Sequence, residues 1–374
     1  MKIQPFDTEH FFAQYEFSAP HLLAVSDCES MSVSELLELA NVSLDGFGEL
    51  ELGYTESQGN PSLRRAIALS YQDVAADDIV VLGSPIEGIY LTMRTLLDPD
   101  DEAIVLTPVY DALKNLPEHI AAKTYAWPLR QTPEGWSLDW DHLATLITKK
   151  TKLLAVNFPH NPTGFLPSLD ELKKLIDIAA KHGIWIYSDE MYRGLEFDSA
   201  QQLPSLAELY DKSITLSGLS KTYGLAGLRS GWLVVKDTAV KERLLNWKMY
   251  TSICPPAPTE FLTEVALSTG DKLRQRNRDI VLANLELADT FFARWENLFT
   301  WHRPMAGSVA LVGVELDSAT AYCHHLAKEA GVVLLPSSCL SYGDKHVRFG
   351  FGRRSFEASL AAYEQYLEKT LVTL

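Results

Sequence analysis

The chain has 374 residues, 47% of them apolar, which is enough to fill the core of one large domain or two moderate ones and excludes a disordered or fibrous protein. Its 49 acidic and 33 basic residues give a net charge of −16, and no long run of Lys or Arg interrupts this balance. A nucleic-acid backbone or an anionic membrane surface would repel such a protein, so we expect neither as a partner. A small-molecule substrate is the better expectation.

The first residues contain no basic segment followed by an apolar one, and no stretch of about 18 uncharged apolar residues occurs in the sequence. The four cysteines are scattered, without a CxxC pair and without a histidine at metal-ligand spacing. These features predict a cytoplasmic protein with reduced thiols and no metal site.

Between residues 78 and 235, short apolar runs alternate with helical patterns. Several runs are apolar at every position, as in strands that are buried on both faces of a sheet. The segment 169–182 places Leu172, Leu175 and Ala179 on one helical face and ends before Gly183. The pattern predicts an α/β fold with a mostly parallel sheet. The predicted strands are 79–82, 103–106, 153–157, 184–188, 214–216 and 232–235.

The two ends of the chain have a different pattern. Residues 1–45 are a polar arm with a short helix at 34–40, and the chain after residue 270 reads as helix, strand, helix, strand and a final helix. We therefore expect a large domain over 46–265 and a smaller α+β domain built from 1–45 and 266–374.

The first candidate binding segment is the turn Gly83-Ser84-Pro85 after the strand 79–82. Ser84 suits a helix N-cap and Pro85 the first helical position, so free backbone N–H groups would face an anion such as phosphate. Capped turns of this kind are also common without a ligand. A P-loop is excluded, because Ile-Tyr follows Gly88 where that motif requires Lys and Ser or Thr.

Three further candidate segments follow later strands. They are the turn with Asn161, the pair Asp189 and Tyr192, and the loop with Ser217, Ser220, Lys221 and Arg229. Each has an ordinary explanation as well, such as turn formation, capping or a solvated surface lysine. Because α/β sheets bind ligands at the carboxyl ends of their strands, we expect all three segments to meet at one edge.

In this order and spacing, the four segments resemble the fold-type-I pyridoxal-phosphate (PLP) enzymes, specifically the class I and II aminotransferases. Asn161 and Asp189 are 28 residues apart, and Asp189 and Lys221 are 32 apart. The resemblance covers about residues 45–355. The stretch 246–260, together with NFPHNPTG, is also similar to the capreomycidine-synthase-like subgroup, whose PLP chemistry is elimination and cyclisation of an arginine-derived substrate.

The resemblance implies a catalytic role for three of these residues. Lys221 would carry the cofactor as a Schiff base and then shuttle a proton, for which its amine must be partly neutral. Asp189 would keep the pyridine nitrogen protonated, and Tyr192 would hydrogen-bond the ring oxygen together with Asn161.

The other implied contacts surround this centre. The turn at Gly83, Ser84 and Pro85 and the side chain of Arg229 would hold the phosphate, although Pro85 lacks an N–H. Many such enzymes carry Ser or Thr at the position of Gly218, so either Ser217 or Ser220 is expected to replace it. The remaining implied contacts are Tyr110 stacked on the ring, Arg348 clamping the substrate α-carboxylate, and Tyr54 reaching the partner's phosphate in a homodimer.

Several functions fit this resemblance. We expect an aminotransferase that moves an amino group from an L-amino acid to a 2-oxo acid, and a PLP-dependent lyase or cyclase is the alternative. An effector-sensing module of a transcription factor is a remote alternative. It would need a basic DNA-binding domain, usually before the fold, and only about 45 residues precede Gly46. A dicarboxylic substrate is less expected, because the stretch 246–260 contains Lys248 and no arginine, although Arg353 or Arg354 could serve instead.

Overall fold

The computed structural model describes residues 2–371. The helices are α1 (Asp7–Tyr15), α2 (Val33–Leu39), α3 (Leu44–Gly48), α4 (Pro61–Ala68), α5 (Pro85–Leu96), α6 (Asp111–Ile120), α7 (Trp140–Leu146), α8 (Leu169–His182), α9 (Leu206–Leu209), α10 (Thr238–Lys248), α11 (Ala257–Ser268), α12 (Gly270–Arg294), α13 (Ala319–Ala330) and α14 (Phe356–Leu371). Within the described range, none of them combines the length and apolar character needed to cross a membrane.

The strands are β1 (His21–Leu22), β2 (Ile79–Leu82), β3 (Glu102–Thr107), β4 (Lys123–Pro128), β5 (Arg130–Thr132), β6 (Gly135–Ser137), β7 (Thr151–Asn157), β8 (Trp185–Asp189), β9 (Ser213–Gly218), β10 (Gly231–Val234), β11 (Phe299–Thr300), β12 (Val309–Val314), β13 (Val332–Val333), β14 (Leu335–Pro336) and β15 (His346–Gly350). Seven of them form the main sheet in the order β2-β10-β9-β8-β7-β3-β4. Only β10 runs antiparallel to its neighbours in this sheet, which confirms the predicted mostly parallel α/β fold.

All six predicted strands are present in this sheet, with ends that differ by at most two residues from the prediction. The seventh, β4, was not predicted. It lies at the sheet edge, and Trp127 is its only buried residue, so its sequence contains no apolar run.

Both faces of the main sheet are covered, as the continuous apolar strands predict. In β3, Ala103 and Val105 pack into one hydrophobic cluster, whereas Ile104 and Leu106 pack into another. Successive side chains of a strand point to opposite faces, so these two clusters are the two layers around the sheet.

A second, antiparallel sheet has the order β11-β12-β15-β14. The N-terminal segment joins this part of the chain, because β1 pairs with β13. Leu36 and Leu37 of α2 instead pack in a cluster with Leu63 and Trp232 beside the main sheet. The division into domains at residues 45 and 265 stays a prediction.

Helix α1 is fixed at the carboxyl edge of the main sheet by contacts to two distant segments. The Thr8 N–H donates to the Asp111 carboxylate at the start of α6 (3.1 Å), and the Thr8 hydroxyl donates to the Cys339 carbonyl (3.0 Å). The side chain of Asn115 donates to the Pro5 carbonyl (3.2 Å). These bonds place one face of α1 over the ends of the strands.

Candidate active site

Strands β7, β8 and β9 end side by side, and a cavity of about 370 Å³ opens beyond their carboxyl ends. Parallel strands place their carboxyl ends at the same edge, which is where ligands bind in such folds. The predicted site residues that line this cavity are Pro85, Tyr110, Asn161, Asp189, Tyr192, Ser220, Lys221, Arg229 and Arg348.

Lys221 follows β9 by three residues and points its amine into the cavity. The Nζ atom donates a hydrogen bond to the hydroxyl of Ser26 (2.8 Å). Desolvation lowers the pKa of Lys221, and the charge of Arg348 lowers it further, while Asp27 and Asp189 act in the opposite direction. The amine is therefore held closer to its neutral, nucleophilic form than a lysine in water.

Asp189 is the last residue of β8 and is buried. Its Oδ1 accepts the N–H of Met191 (3.1 Å), and its backbone carbonyl accepts the side-chain amide of Asn157 (2.7 Å). Burial raises the pKa of Asp189 to about 6, although the Met191 N–H and the charge of Lys221 oppose the rise. This carboxylate favours a cationic or N–H partner in the cavity, which would compensate its desolvation.

Tyr192 contacts the main chain of the N-terminal segment at Ser26, the residue that also binds Lys221. The Tyr192 hydroxyl donates to the Ser26 carbonyl (3.1 Å), which also accepts the hydroxyl of Ser308 (2.8 Å). Ser26 thus connects the tyrosine to the lysine, and it fixes the N-terminal segment against the cavity.

Arg348 comes from β15 and is 2% exposed. Its Nε and Nη2 atoms donate to the Ala24 carbonyl (3.1 and 2.9 Å), and Nη1 donates to the Asn161 side chain (3.2 Å). The guanidinium lies 5.7 Å from the centre of the Phe12 ring. A fixed, buried guanidinium of this kind suits bidentate binding of a carboxylate.

The predicted phosphate-binding turn at Gly83, Ser84 and Pro85 has fewer free N–H donors than expected. The N–H of Gly83 donates to Glu87 (2.7 Å), and Pro85 has no N–H, so two of the expected donors are missing. Ser84 is the N-cap of α5, and its side chain makes no capping bond. Arg229 lines the cavity beside this turn and adopts a left-handed backbone conformation (φ 54°).

The structure separates the two candidate serines. Ser220 lines the cavity, and its buried Oγ has no hydrogen-bond partner among the described residues. Ser217 lines a different cavity, together with Trp232, with which it pairs in the sheet. Leu216 instead lines the Lys221 cavity, so the alternation of side chains along β9 turns Ser217 to the other face. Of the two serines, the structure brings Ser220 to the site.

Tyr110 and Tyr54 occupy different surroundings. The Tyr110 hydroxyl donates to Glu9 of α1 (2.6 Å), which holds its ring at the cavity rim. Tyr54 is 94% exposed and does not line this cavity within one chain.

Two residues considered for a side-chain carboxylate have other partners. Lys248 is buried and donates to the Ser252 hydroxyl (3.0 Å) and to the Ile253 carbonyl (3.4 Å) in its own loop. Arg353 forms an ion pair with Asp27 (2.6 Å).

The sequence analysis missed several polar residues that line the cavity, among them Glu9, Glu16, Ser26, Asp27 and Asn157. Asn157 is the last residue of β7, pairs in register with Asp189, and accepts the N–H of Asn161 (2.7 Å), so its place at a strand end was a usable signal. The other four belong to the N-terminal segment, where no motif distinguishes them.

Comparison with known proteins assigns the chain to a family. The family model described as aminotransferase class I and II matches residues 23–362. The chain therefore belongs to the class I and II aminotransferase family.

Individual relatives differ in their named activities. The chain is 32% identical over 260 residues to an alanine aminotransferase of Mycobacterium bovis, in a match that covers 66% of this chain and only 59% of that relative. It is 30% identical over 318 residues to capreomycidine synthase of Streptomyces vinaceus, covering 83% of this chain and 80% of that one. A solved PLP-dependent aminotransferase from Streptococcus suis 89-1591 superimposes with a TM-score of 0.92 and 30% identity, over 99% of both chains.

Proposed function

We propose that the protein is a PLP-dependent aminotransferase that moves an amino group from an L-amino acid to a 2-oxo acid. The observation that carries the proposal is the meeting of Lys221, Asp189 and Arg348 in one cavity at the carboxyl edge of the sheet. An amine, a buried carboxylate and a buried guanidinium are the groups that this reaction requires. The family and the match to the Streptococcus suis structure support the same reading.

The residues present fit the cofactor. When bound, PLP supplies an aldehyde for attachment to an amine and a ring that withdraws electrons from the substrate α-carbon. Lys221 offers the amine and Asp189 the carboxylate for the ring nitrogen. The unpartnered Oγ of Ser220 and the side chain of Arg229, which both line the cavity, offer donors for the phosphate.

Three side chains of the cavity have separate roles in this reaction. Lys221 Nζ accepts a proton from the substrate α-carbon and carries it away from that carbon, which its lowered pKa makes easier near neutral pH. The Ser26 hydroxyl orients that amine. Arg348 binds the substrate α-carboxylate and fixes the orientation of the α-carbon, while Phe12 of α1 lines the cavity beside it.

We also propose that the active unit is a homodimer, in which Tyr54 contacts the partner's phosphate site. Tyr54 is 94% exposed, and Leu52 and Tyr250 are both 80% exposed. The Thr55 hydroxyl donates to the Pro255 carbonyl (2.7 Å) and joins these two segments into one surface. Light scattering should give about twice the chain mass of 41.8 kDa, and Tyr250→Asp should reduce it toward the monomer. A wild-type monomer would refute the dimer.

A cytoplasmic location remains our proposal, supported by four free cysteines.

A PLP-dependent cyclase or lyase is the second candidate function. The match to capreomycidine synthase, which covers 80% of that enzyme, favours keeping it. Both reactions use the same lysine, carboxylate and guanidinium, so the cavity does not separate them.

The experiment that tests the proposal is a spectral titration of the PLP-loaded protein with single L-amino acids, without any 2-oxo acid. A transaminase is converted stoichiometrically to the pyridoxamine form and releases one 2-oxo acid per site. Release of ammonia or a cyclised product, with the original spectrum restored, would replace the transaminase by the second candidate. Failure to bind PLP at all would contradict both.

A further inference from the structure

The wall of the cavity that α1 forms carries acidic side chains that the proposed reaction does not use. Glu9 and Glu16 come from α1 and its C-terminal cap, and Asp27 comes from the following segment. Asp189 and the three cations Lys221, Arg229 and Arg348 already have roles in the proposed reaction. The three carboxylates on the α1 side therefore remain to be explained.

These carboxylates differ in how far they are neutralised. Asp27 forms an ion pair with Arg353 (2.6 Å), and Glu9 accepts the Tyr110 hydroxyl (2.6 Å). The carboxylate of Glu16 has no hydrogen bond or ion pair to any residue within 2–371. Burial raises the pKa of Glu16, and repulsion by Asp27 and Glu9 raises it further, while Arg353 and Lys221 oppose the rise. A cation beside Glu16 would relieve this repulsion.

The hydroxyl of Ser220 indicates that the cavity next to Glu16 takes a ligand. Ser220 is only 5% exposed, lines the same cavity, and has an Oγ without a hydrogen-bond partner among the described residues. Because buried hydroxyls are usually paired, this one indicates that the cavity holds a ligand, and the proposed function assigns it the cofactor phosphate.

The arrangement along α1 relates Glu16 to the carboxylate clamp. The ring of Phe12 packs against the guanidinium of Arg348, and the N–H of Glu16 donates to the carbonyl of Phe12 in the last turn of the helix (2.8 Å). Glu16 therefore lies one turn beyond Phe12, a rise of about 6 Å along the helix. A substrate whose α-carboxylate binds Arg348 can extend its side chain along α1 toward Glu16.

We propose that the substrate is an L-amino acid with a cationic side chain, an amine or a guanidinium, and that Glu16 binds that cation. The inference rests on the proposed function for the placement of the α-carboxylate at Arg348. A dicarboxylic substrate would bring a second negative charge toward three carboxylates. An apolar side chain would cover Glu16 without supplying a partner for its charge.

The test uses two carboxylic acids that lack an α-amino group and so bind without reacting: 5-guanidinopentanoate and its neutral counterpart, 5-ureidopentanoate. Calorimetry on the PLP-loaded wild-type protein measures both dissociation constants. We expect the guanidino compound to bind about tenfold more tightly, as for one charge-assisted pair. Equal binding, or tighter binding of the ureido compound, would overturn the proposal.

The matched variants are Glu16→Gln and, as a control, Glu296→Gln, which removes the same charge from an exposed position. E16Q should bring the two dissociation constants to within about twofold of each other, whereas E296Q should keep the wild-type ratio. An unchanged ratio in E16Q would refute the assignment to Glu16.

Activity and probe binding, measured on the same PLP-loaded protein, distinguish a failure of this inference from a failure of the proposed function. If the PLP-loaded enzyme transaminates neutral L-amino acids but binds both probes equally, the substrate class is wrong and the transaminase proposal stands. If the guanidino probe binds selectively but no amino acid is converted, the reaction is wrong and the cation site stands.

Discussion

The two walls of the cavity are built in different ways. The sheet wall carries Asp189 and Lys221 at or shortly after the ends of adjacent strands, where their positions follow from the main-chain hydrogen bonds of the sheet. The α1 wall carries Glu9 and Glu16 on a helix held largely by side-chain contacts, and Asp27 on the segment that follows β1. The sheet wall therefore supplies reactive groups with fixed geometry. The α1 wall supplies charged side chains whose substitution should leave the reaction itself unchanged. Variants in the first should abolish chemistry, and variants in the second should change binding.

The largest effect is expected for Lys221→Ala, because no other amine lines the cavity in the described part of the chain. Loss of the nucleophile and proton carrier should lower kcat by at least about 10³-fold. Single-turnover measurements with saturating amino acid should report it. Lys212→Ala, at an exposed position, is the control and should retain wild-type rates. Substantial turnover by K221A would show that this wall does not contain the reactive amine.

Asp189→Asn tests the charge that the sheet wall buries. The ionised carboxyl opposes folding of the protein without cofactor, because its pKa is about 6 in the folded chain and ordinarily 3.8. This difference corresponds to about 3 kcal/mol. D189N should therefore stabilise the cofactor-free protein in urea at pH 8, and the gain should shrink as the pH falls from 6 toward 4.

The same variant should lose PLP affinity, since it lacks the charge for the ring nitrogen. Asp177→Asn, on the exposed side of α8, should change neither property. If D189N were less stable than wild type at pH 8 and still bound PLP tightly, Asp189 would be a structural residue only.

Arg348→Lys should weaken substrate binding while the chemistry is retained. Lysine keeps the charge but lacks the paired N–H groups, and it gives up bonds to Ala24 and Asn161. We expect kcat/KM for amino acids to fall about 30-fold, mainly through KM, as for loss of a charged hydrogen bond of about 2 kcal/mol. A drop confined to kcat would place Arg348 in the chemistry rather than at the carboxylate.

Tyr110→Phe is the smallest change and touches the α1 wall. It removes the bond to Glu9 without altering the ring, so stability should decrease by only about 1 kcal/mol. Faster amide exchange in α1, at nearly unchanged kcat, would show that the wall is held by such contacts. Unchanged exchange in α1 would mean that its other contacts, such as those of Thr8 and Phe12, hold the helix without this bond.

The sheet wall could be predicted because its residues lie at or near strand ends. The strands are apolar runs, and Asp189, Tyr192 and Lys221 follow them at spacings that match a known family. The alternation of side chains along β9 could also have distinguished Ser217 from Ser220, since it turns Ser217 away from the cavity. The catalytic and binding roles of the sheet-wall residues stay predictions, as do the domain boundaries.

The α1 wall could not be predicted. Its position depends on bonds between residues that are far apart in the chain, such as Thr8 with Asp111 and Lys221 with Ser26. No local pattern marks Glu16 as facing a cavity, because an acid near the end of a short helix is ordinarily solvated. The edge strand β4 was missed for a related reason, since burial on a single residue leaves no periodic signal.

The most direct test of the central claim is to load the protein with PLP, reduce it with borohydride and map the modified lysine by mass spectrometry. Reduction makes the link between cofactor and amine permanent, so the peptide that carries it identifies the residue. We predict that the pyridoxyl phosphate group is found on Lys221 alone. Attachment to another lysine, or no attachment after PLP is supplied in excess, would contradict the assignment of this cavity as the active site.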